Sequence, residues 1–280
     1  MMTRKIHIGR IIKYVLLSLL SLISIFPFIF MLIGMTSNSQ DIISGSMKIG
    51  GDFIKNMQSL FTSDLNFVQG LGNSAVIAVI TTVVALLISS AAGYGFEIYK
   101  TKKREILFNI LLLSMMVPFA ALMIPLFRMF SSLSSTPLSG LGINSFFAVI
   151  IPSVSTAFLI FFFRQNTKAF PKDMIEAARI DGVSEIGIFF KIFMPTIKNT
   201  YAAAAIITFM NSWNNYLWPL IALQTPGKRT LPLILSAMNA SYTPDYGMIM
   251  CGIVIATIPT AIIFFIMQKQ FVEGMIGSVK

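Results

Sequence analysis

Residues 72–96 read GNSAVIAVITTVVALLISSAAGYGF, a run without a single charged side chain. A helix needs about 20 residues to cross the roughly 30 Å hydrocarbon core of a bilayer, and this run is long enough as it stands. Five further stretches have the same character, at approximately 14–35, 106–127, 145–163, 200–223 and 248–267. None contains Asp or Glu, the nearest being Glu97 just past the end of the second. Basic residues precede the first stretch, as they do in a secretory signal. Its apolar run is too long for one, however, and no small-x-small cleavage site follows, so it reads as a retained helix. The expected fold is all-α and polytopic, with six transmembrane helices.

Composition leads to the same class. Of the 280 residues, 55% are hydrophobic and 11% charged, with a mean hydropathy of +0.79. Soluble domains carry about 25% charged residues, so this chain has too few to cover a soluble globule of 31.0 kDa. That excludes a soluble enzyme, and 25 Phe with 18 Met exclude disorder. The net charge of +10 is informative through its placement. With the N-terminus inside, 16 of the 21 Lys and Arg fall on the cytoplasmic side and 5 outside. One inside loop holds Lys100, Lys102, Lys103 and Arg104, and the next holds Arg164, Lys168, Lys172, Arg179, Lys191 and Lys198. Both termini are then cytoplasmic, and the excess of cations speaks for membrane orientation, not for nucleic acid. His7, among Arg4, Lys5 and Arg10, reads as a further surface anchor.

What is missing narrows the function. No phosphate-binding G-x-x-x-x-G-K-[ST] occurs; Gly227-Lys228 has Ala222 where the first Gly belongs. Proton-driven carriers hold ionisable groups inside the bilayer, where such groups are costly and usually functional, and all six stretches lack a carboxylate or His. One Cys (Cys251) and one His allow neither a disulfide framework nor a metal cage, so no catalytic and no metal site is expected. The chain offers a pathway without an engine. Active transport would need energy from another subunit.

The loops differ in kind. Residues 36–70 are expected to pack as a small external cap, and 128–144, rich in Ser with Pro137, Gly140 and Gly142, form a plain loop. Residues 164–199 read as two short helices. Pro171 suits the first helical position and Gly182 follows the last turn. Ser184 can cap the second helix, whose Ile186, Phe189, Phe190 and Phe193 fall at i, i+3, i+4, i+7 and need something to bury them.

Within that loop the sequence runs PKDMIEAARIDG over 171–182 and reaches IFMP at 192–195. It resembles the Glu-Ala-Ala coupling loop of ATP-binding-cassette importer permeases, in particular the carbohydrate-uptake family that includes the maltose and glycerol-phosphate importers. Glu176, Ala177, Ala178, Asp181, Gly182, Ile192 and Pro195 match the family pattern, and Met194 stands where Leu is usual. Two alanines give a helix surface that a partner can approach closely, Glu176 offers a carboxylate to a basic residue of that partner, and Gly182 permits a turn. An ordinary amphipathic surface helix is the plain alternative. Asn73-Ser74, Tyr94, the Pro118 to Pro125 region and the QKQFVEG run at 268–274 resemble the same family. The resemblance covers roughly residues 70–280, leaving 1–70 as a generic span and external loop before a permease core at 71–280. For the tail from Gly274 to Lys280 it implies a second contact with the ATPase, a solvated tail being the equal alternative.

The fifth stretch carries Asn211, Trp213, Asn214, Asn215 and Trp218, of which Asn211, Asn214, Asn215 and Trp218 are spaced to share one helical face. Amides in hydrocarbon either join helices or line a wet path, and amides beside aromatic rings suit sugars. Ser212, Trp213, Asn214, Trp218 and Pro219 resemble the family's Ser-Trp-Asn-x-x-x-Trp-Pro run, with Asn215 where Asp is common. Pro118, Pro125, Pro152 and Pro259 are expected to kink their helices. The resemblance implies a permease subunit of a type I importer for a carbohydrate, an oligosaccharide or polyol derivative, in the cytoplasmic membrane. Its implied partners are a second permease, two ATPase subunits holding ATP and Mg, and an external solute-binding protein. A secondary carrier and a membrane scaffold stay open as alternatives.

Overall fold

The computed structural model describes residues 8–276 and is built of helices, with no strand among the described residues. His7 and the tail beyond Ile276 lie outside them. In chain order the first helices are α1 (Ile8–Gly34), α2 (Ser39–Ile43), α3 (Phe53–Thr62), α4 (Phe67–Ile98) and α5 (Lys102–Leu113). Then come α6 (Phe119–Leu133), α7 (Phe146–Ile150), α8 (Ala157–Thr167), α9 (Lys172–Ile180) and α10 (Glu185–Ile188). The last are α11 (Met194–Thr196), α12 (Lys198–Trp213), α13 (Leu217–Ala222), α14 (Leu231–Asn239) and α15 (Tyr246–Ile276).

All six apolar stretches are largely helical, but they are not six continuous rods. Among the described residues three single helices are long and apolar enough to cross a membrane, at Ile12–Gly34, Phe67–Ile98 and Tyr246–Gln270. The third stretch bends by 102° between Lys102–Met116 and Phe119–Leu133. The cause is Pro118, which disfavours helical backbone at Val117 and leaves it extended at φ −82°, ψ 117°. The fourth bends by 40° between Phe146–Ser153 and Ala157–Thr167, beside Pro152. Counting each bent pair as one span gives five. The fifth stretch is interrupted just ahead of Pro219, which has no amide to donate to the Asn215 carbonyl and falls in the first turn of the helix that resumes. Helix α12 stops at Trp213, Asn214 caps it, and α13 begins only at Leu217. Pro125 and Pro259, by contrast, lie inside helices that continue through them.

The chain forms two compact units, Met1–Phe67 with Leu235–Thr257, and Val68–Ile234 with Ile258–Lys280. Residues 235–257 therefore associate with the N-terminal part. In the first unit the 36–66 segment is ordered by buried polar contacts. Asn56, 3% exposed, donates to the carbonyls of Met35 at 3.1 Å and Ser37 at 2.9 Å. The Ser39 hydroxyl accepts from the Tyr246 amide at 3.0 Å. None of the apolar window of α1 is buried within the chain, the surface a helix presents to lipid or to another subunit.

Among the described residues the second unit packs around apolar clusters. One gathers Ile77, Phe130, Ala148, Val149 and Trp218, the second Ala85, Leu159, Phe163 and Ala204. The third, described below, underlies the 164–199 loop. Gly93 lets α4 and α8 cross closely, since a Cβ there would lie 2.8 Å from both the Arg164 amide nitrogen and the Phe163 Cβ. The Asn73-Ser74 pair anchors the segment leading into α14. Asn73 donates to the carbonyls of Gly227 and Arg229, and the Ser74 hydroxyl accepts from the Leu231 amide at 2.7 Å. Arg164, which the sequence places among the loop cations, is instead 3% exposed. It pairs with Glu97 at 3.2 Å and with Glu105, and lies 4.0 Å over the Phe108 ring.

Candidate functional site

The 164–199 loop is a helix-turn-helix whose turn is specified locally. Pro171 caps α9, one position earlier than expected, and Asp173 sits in the first turn. At the other end the Val183 amide donates to the Ala178 carbonyl at 2.9 Å and the Gly182 amide to that of Arg179 at 3.1 Å. This is the paired bonding of a Schellman stop, which places its C′ residue in left-handed backbone. Gly182 occupies that position with φ +76°, where a Cβ would be strained. The Ser184 hydroxyl then caps α10 by accepting from the Gly187 amide.

The four-residue apolar face expected of the second helix does not form as one. Residues Phe189–Phe193 are wound as a π-helix, whose wider turn shifts the side chains out of 3.6-residue register. Ile188, Phe189 and Phe193 are buried, packed with Tyr94, Phe170, Ile175 and Ala178. Ile186 and Phe190 remain 72% and 52% exposed. The Glu-Ala-Ala triplet is divided in the same way. Glu176 and Ala177 are exposed, whereas Ala178 is buried as part of the loop's own core. Asp181 and Pro195 are exposed and Ile192 is half-buried against that core. The outer surface thus exposes the apolar Met174, Ala177, Ile180, Ile186 and Phe190 together with the Glu176 carboxylate.

A polar tie that the sequence did not reveal holds this loop to the end of α4. Arg179 donates to Glu185 at 2.7 Å and 3.3 Å, and the Tyr99 hydroxyl donates to the same carboxylate. The bond from Arg179, and then that from Tyr99, holds the Glu185 carboxyl below the usual carboxylate range. Burial, then the Glu185 bond, pushes the Tyr99 phenol up. Because the folded-state pKa of Glu185 is lowered, the tie is complete above the ordinary carboxylate range and is lost as pH falls through the lowered value. Glu185→Gln is therefore expected to raise hydrogen exchange modestly at the Gly182 and Val183 amides at neutral pH. In strong acid the wild-type and variant loops should exchange alike. Equal exchange at neutral pH would mean that the tie contributes nothing.

The break after α12 disperses the residues of the expected amide face. Trp218 is 1% exposed and its indole donates to the Ala148 carbonyl at 2.8 Å, so it belongs to the packed core. Trp213 is 4% exposed and stacks on Phe209 at 5.6 Å. The Asn214 side chain turns back to the Met210 carbonyl at 2.9 Å. Asn211 and Asn215, by contrast, line one cavity of about 140 Å³ together with Thr81, Ser153, Thr156 and Thr208. The hydroxyls were the residues missed in the sequence, where single Ser and Thr in apolar runs carry no distinguishing period. No cluster of three or more metal-ligating side chains occurs among the described residues.

The chain is 46% identical to the lactose transport system permease protein LacG of Rhizobium radiobacter over the full length of both. It is 36% identical to the arabinooligosaccharides transport system permease protein AraQ of Bacillus subtilis, over 97% of this chain and 96% of that one. In fold it is similar to a chain of a bacterial ABC transporter involved in the import of the acidic polysaccharide alginate, with a TM-score of 0.83 at 22% identity, covering 97% and 99% of the two chains. The family described as binding-protein-dependent transport system inner membrane component matches residues 86–277. That span contains the bent third and fourth stretches, the capped helix-turn-helix and the broken fifth, and the chain belongs to this family.

Proposed function

We propose that this chain is the transmembrane permease subunit of an ATP-driven importer that takes up a carbohydrate, an oligosaccharide or polyol derivative, across the cytoplasmic membrane. An external solute-binding protein delivers the cargo, as the family description and the sugar-transport relatives suggest. A second permease completes the membrane pathway as a heterodimer, and two ATPase subunits bind ATP and Mg and dock on the 164–199 loop. The chain itself carries out no covalent chemistry and holds no cofactor. Closure of the ATPases pushes the loop as a lever, the spans rock to face outward, and hydrolysis returns them inward.

The loop carries this reading. A capped, internally packed helix-turn-helix is rigid enough to transmit a push, and its exposed apolar groups are costly unless a partner covers them. Affinity purification of the tagged chain from its own host in detergent, with co-purifying proteins identified by mass spectrometry, tests it. The expected result is recovery of an ATPase and a second multispanning protein, with the ATPase lost on Glu176→Lys. A well-folded chain that purifies alone overturns the proposal.

A further inference from the structure

Away from the α12 break, the second unit has a groove of about 610 Å³ between the first turns of α12 and the last turns of α15. Lys198 and Asn199 of α12 and Lys269 and Gln270 of α15 make up its polar part. Ala202, one turn further along α12, and Ile266 and Met267, one turn back along α15, make up the rest. Helix α12 enters its apolar stretch from Lys198, and the apolar span of α15 ends at Gln270. Both walls therefore pass from polar to apolar in the same direction, from the membrane surface inward. From these observations we infer that the groove binds an anionic phospholipid, its phosphate between Lys198 and Lys269 and its acyl chains along Ala202, Ile266 and Met267. The inference depends on the membrane placement of the two helices and goes beyond the importer reading, since it holds for any cargo.

The chemistry of the lining decides the class of ligand. Two ammonium groups share one groove with no carboxylate in its lining, and among the described residues neither lysine forms an ion pair. Like charges so placed repel, and an anion between them removes the repulsion. Lysine binds phosphate as a point charge, and the Gln270 side chain carries two further N–H donors for headgroup oxygens. Lys and Arg placement puts both lysines at the cytoplasmic face, where basic pockets between helices take up anionic headgroups. A zwitterionic headgroup brings its own ammonium to the two lysines and gains less. A soluble phosphate would meet only the polar half, whereas a lipid fills both, its acyl chain continuing along Ile266, which is 70% exposed. The groove, about 610 Å³, is many times the ~30 Å³ share of a water molecule and has room for a headgroup and the first methylenes of its chains.

The test uses the chain purified with the subunits that accompany it and stripped of lipid in detergent. It is titrated with phosphatidylglycerol, phosphatidylcholine or soluble glycerol 3-phosphate, and bound species are counted by native mass spectrometry. Phosphatidylglycerol is expected to bind more tightly than phosphatidylcholine, with glycerol 3-phosphate not retained. Lys198→Gln and Lys269→Gln should each weaken the tightest-bound phosphatidylglycerol roughly fivefold, and together roughly thirtyfold. Both side chains are exposed, so these variants should melt like wild type in the absence of lipid. Lys198→Arg with Lys269→Arg should keep the site. Lys102→Gln with Lys103→Gln, which removes two exposed charges at the start of α5, should leave it unchanged. Equal affinity for the two lipids overturns the inference, as does a double Gln variant that binds phosphatidylglycerol like wild type. Glycerol 3-phosphate held as tightly as the lipid overturns it by making the site one for free phosphate. Binding of lipid only after removal of residues 277–280 overturns it by making the chain's own tail the occupant. Each of these outcomes leaves the importer reading standing.

Discussion

Replacing Arg164 with methionine is expected to destabilise the protein by about 3–5 kcal/mol, the cost of leaving one member of a buried ion pair alone. Arg164 and Glu97 are 3% and 5% exposed and 3.2 Å apart, so the orphaned Glu97 carboxylate would have little water to turn to. Methionine keeps much of the contact with Phe108, over which the guanidinium lies at 4.0 Å, and so isolates the charge from the packing. The cluster joins α8 to α4 through Glu97 and to α5 through Glu105. Its loss should therefore loosen three helix ends together. The measurement is thermal unfolding in detergent of Arg164→Met, Glu97→Leu and the double variant. Each single variant should be destabilised, and the double variant should regain most of the loss, because removing both charges removes the desolvation cost as well. A single variant as stable as wild type, or a double as unstable as the sum of its parts, would show that the pair does not hold these helices.

Arg164 also marks the limit of what the sequence told. Counting cations by loop treats each as a surface charge, and nothing in the order of residues says that one of them folds back over Phe108. What local chemistry governs was legible. Gly182, Pro171 and Ser184 act through their own backbone and near neighbours, and the structure has a turn and two caps where they stand. The bend at Pro118 was legible as a kink but not in its size, since the 102° depends on how the following helix packs. The interruption at Asn214 to Tyr216 was legible but overlooked, since an unbroken helix would need a Pro219 amide bonded to the Asn215 carbonyl. The amide spacing was read on an unbroken helix, and beyond the break Trp218 is buried with its indole bonded to Ala148. The π-turn at Phe189–Phe193 failed for a related reason. Ile186, Phe189, Phe190 and Phe193 satisfy a 3.6 period, but Phe189 and Phe193 are buried with Ile188 while Ile186 and Phe190 stay exposed. Of the five positions read as a substrate face, Asn211 and Asn215 line the cavity, because both lie beside the break.

The two alanines of the Glu-Ala-Ala triplet are expected to respond oppositely to the same substitution, and this separates docking from packing. Ala177 is exposed, flanked on the outer surface by Met174 and Ile180, so Ala177→Trp leaves the loop's own core untouched. If an ATPase subunit seats on that surface as proposed, the indole must intrude into the interface. Overpacking a fitted contact costs about 1–3 kcal/mol, which corresponds to roughly a 5- to 150-fold loss of affinity. Coupled uptake should fall accordingly while hydrogen exchange across 171–196 stays as in wild type. Ala178 is 5% exposed and packed in the cluster of Ile175, Phe189 and Phe193. Ala178→Trp should therefore disrupt the loop itself, with fast exchange at the Val183 amide that bonds to its carbonyl. ATPase binding measured on the purified chain, beside the exchange data, distinguishes the outcomes. Normal ATPase affinity and uptake for Ala177→Trp would remove the outer face of α9 from the interface. The exposed Ile186 and Phe190 would then be the surface to examine, because each is large, apolar and uncovered within the chain and would gain most from a partner.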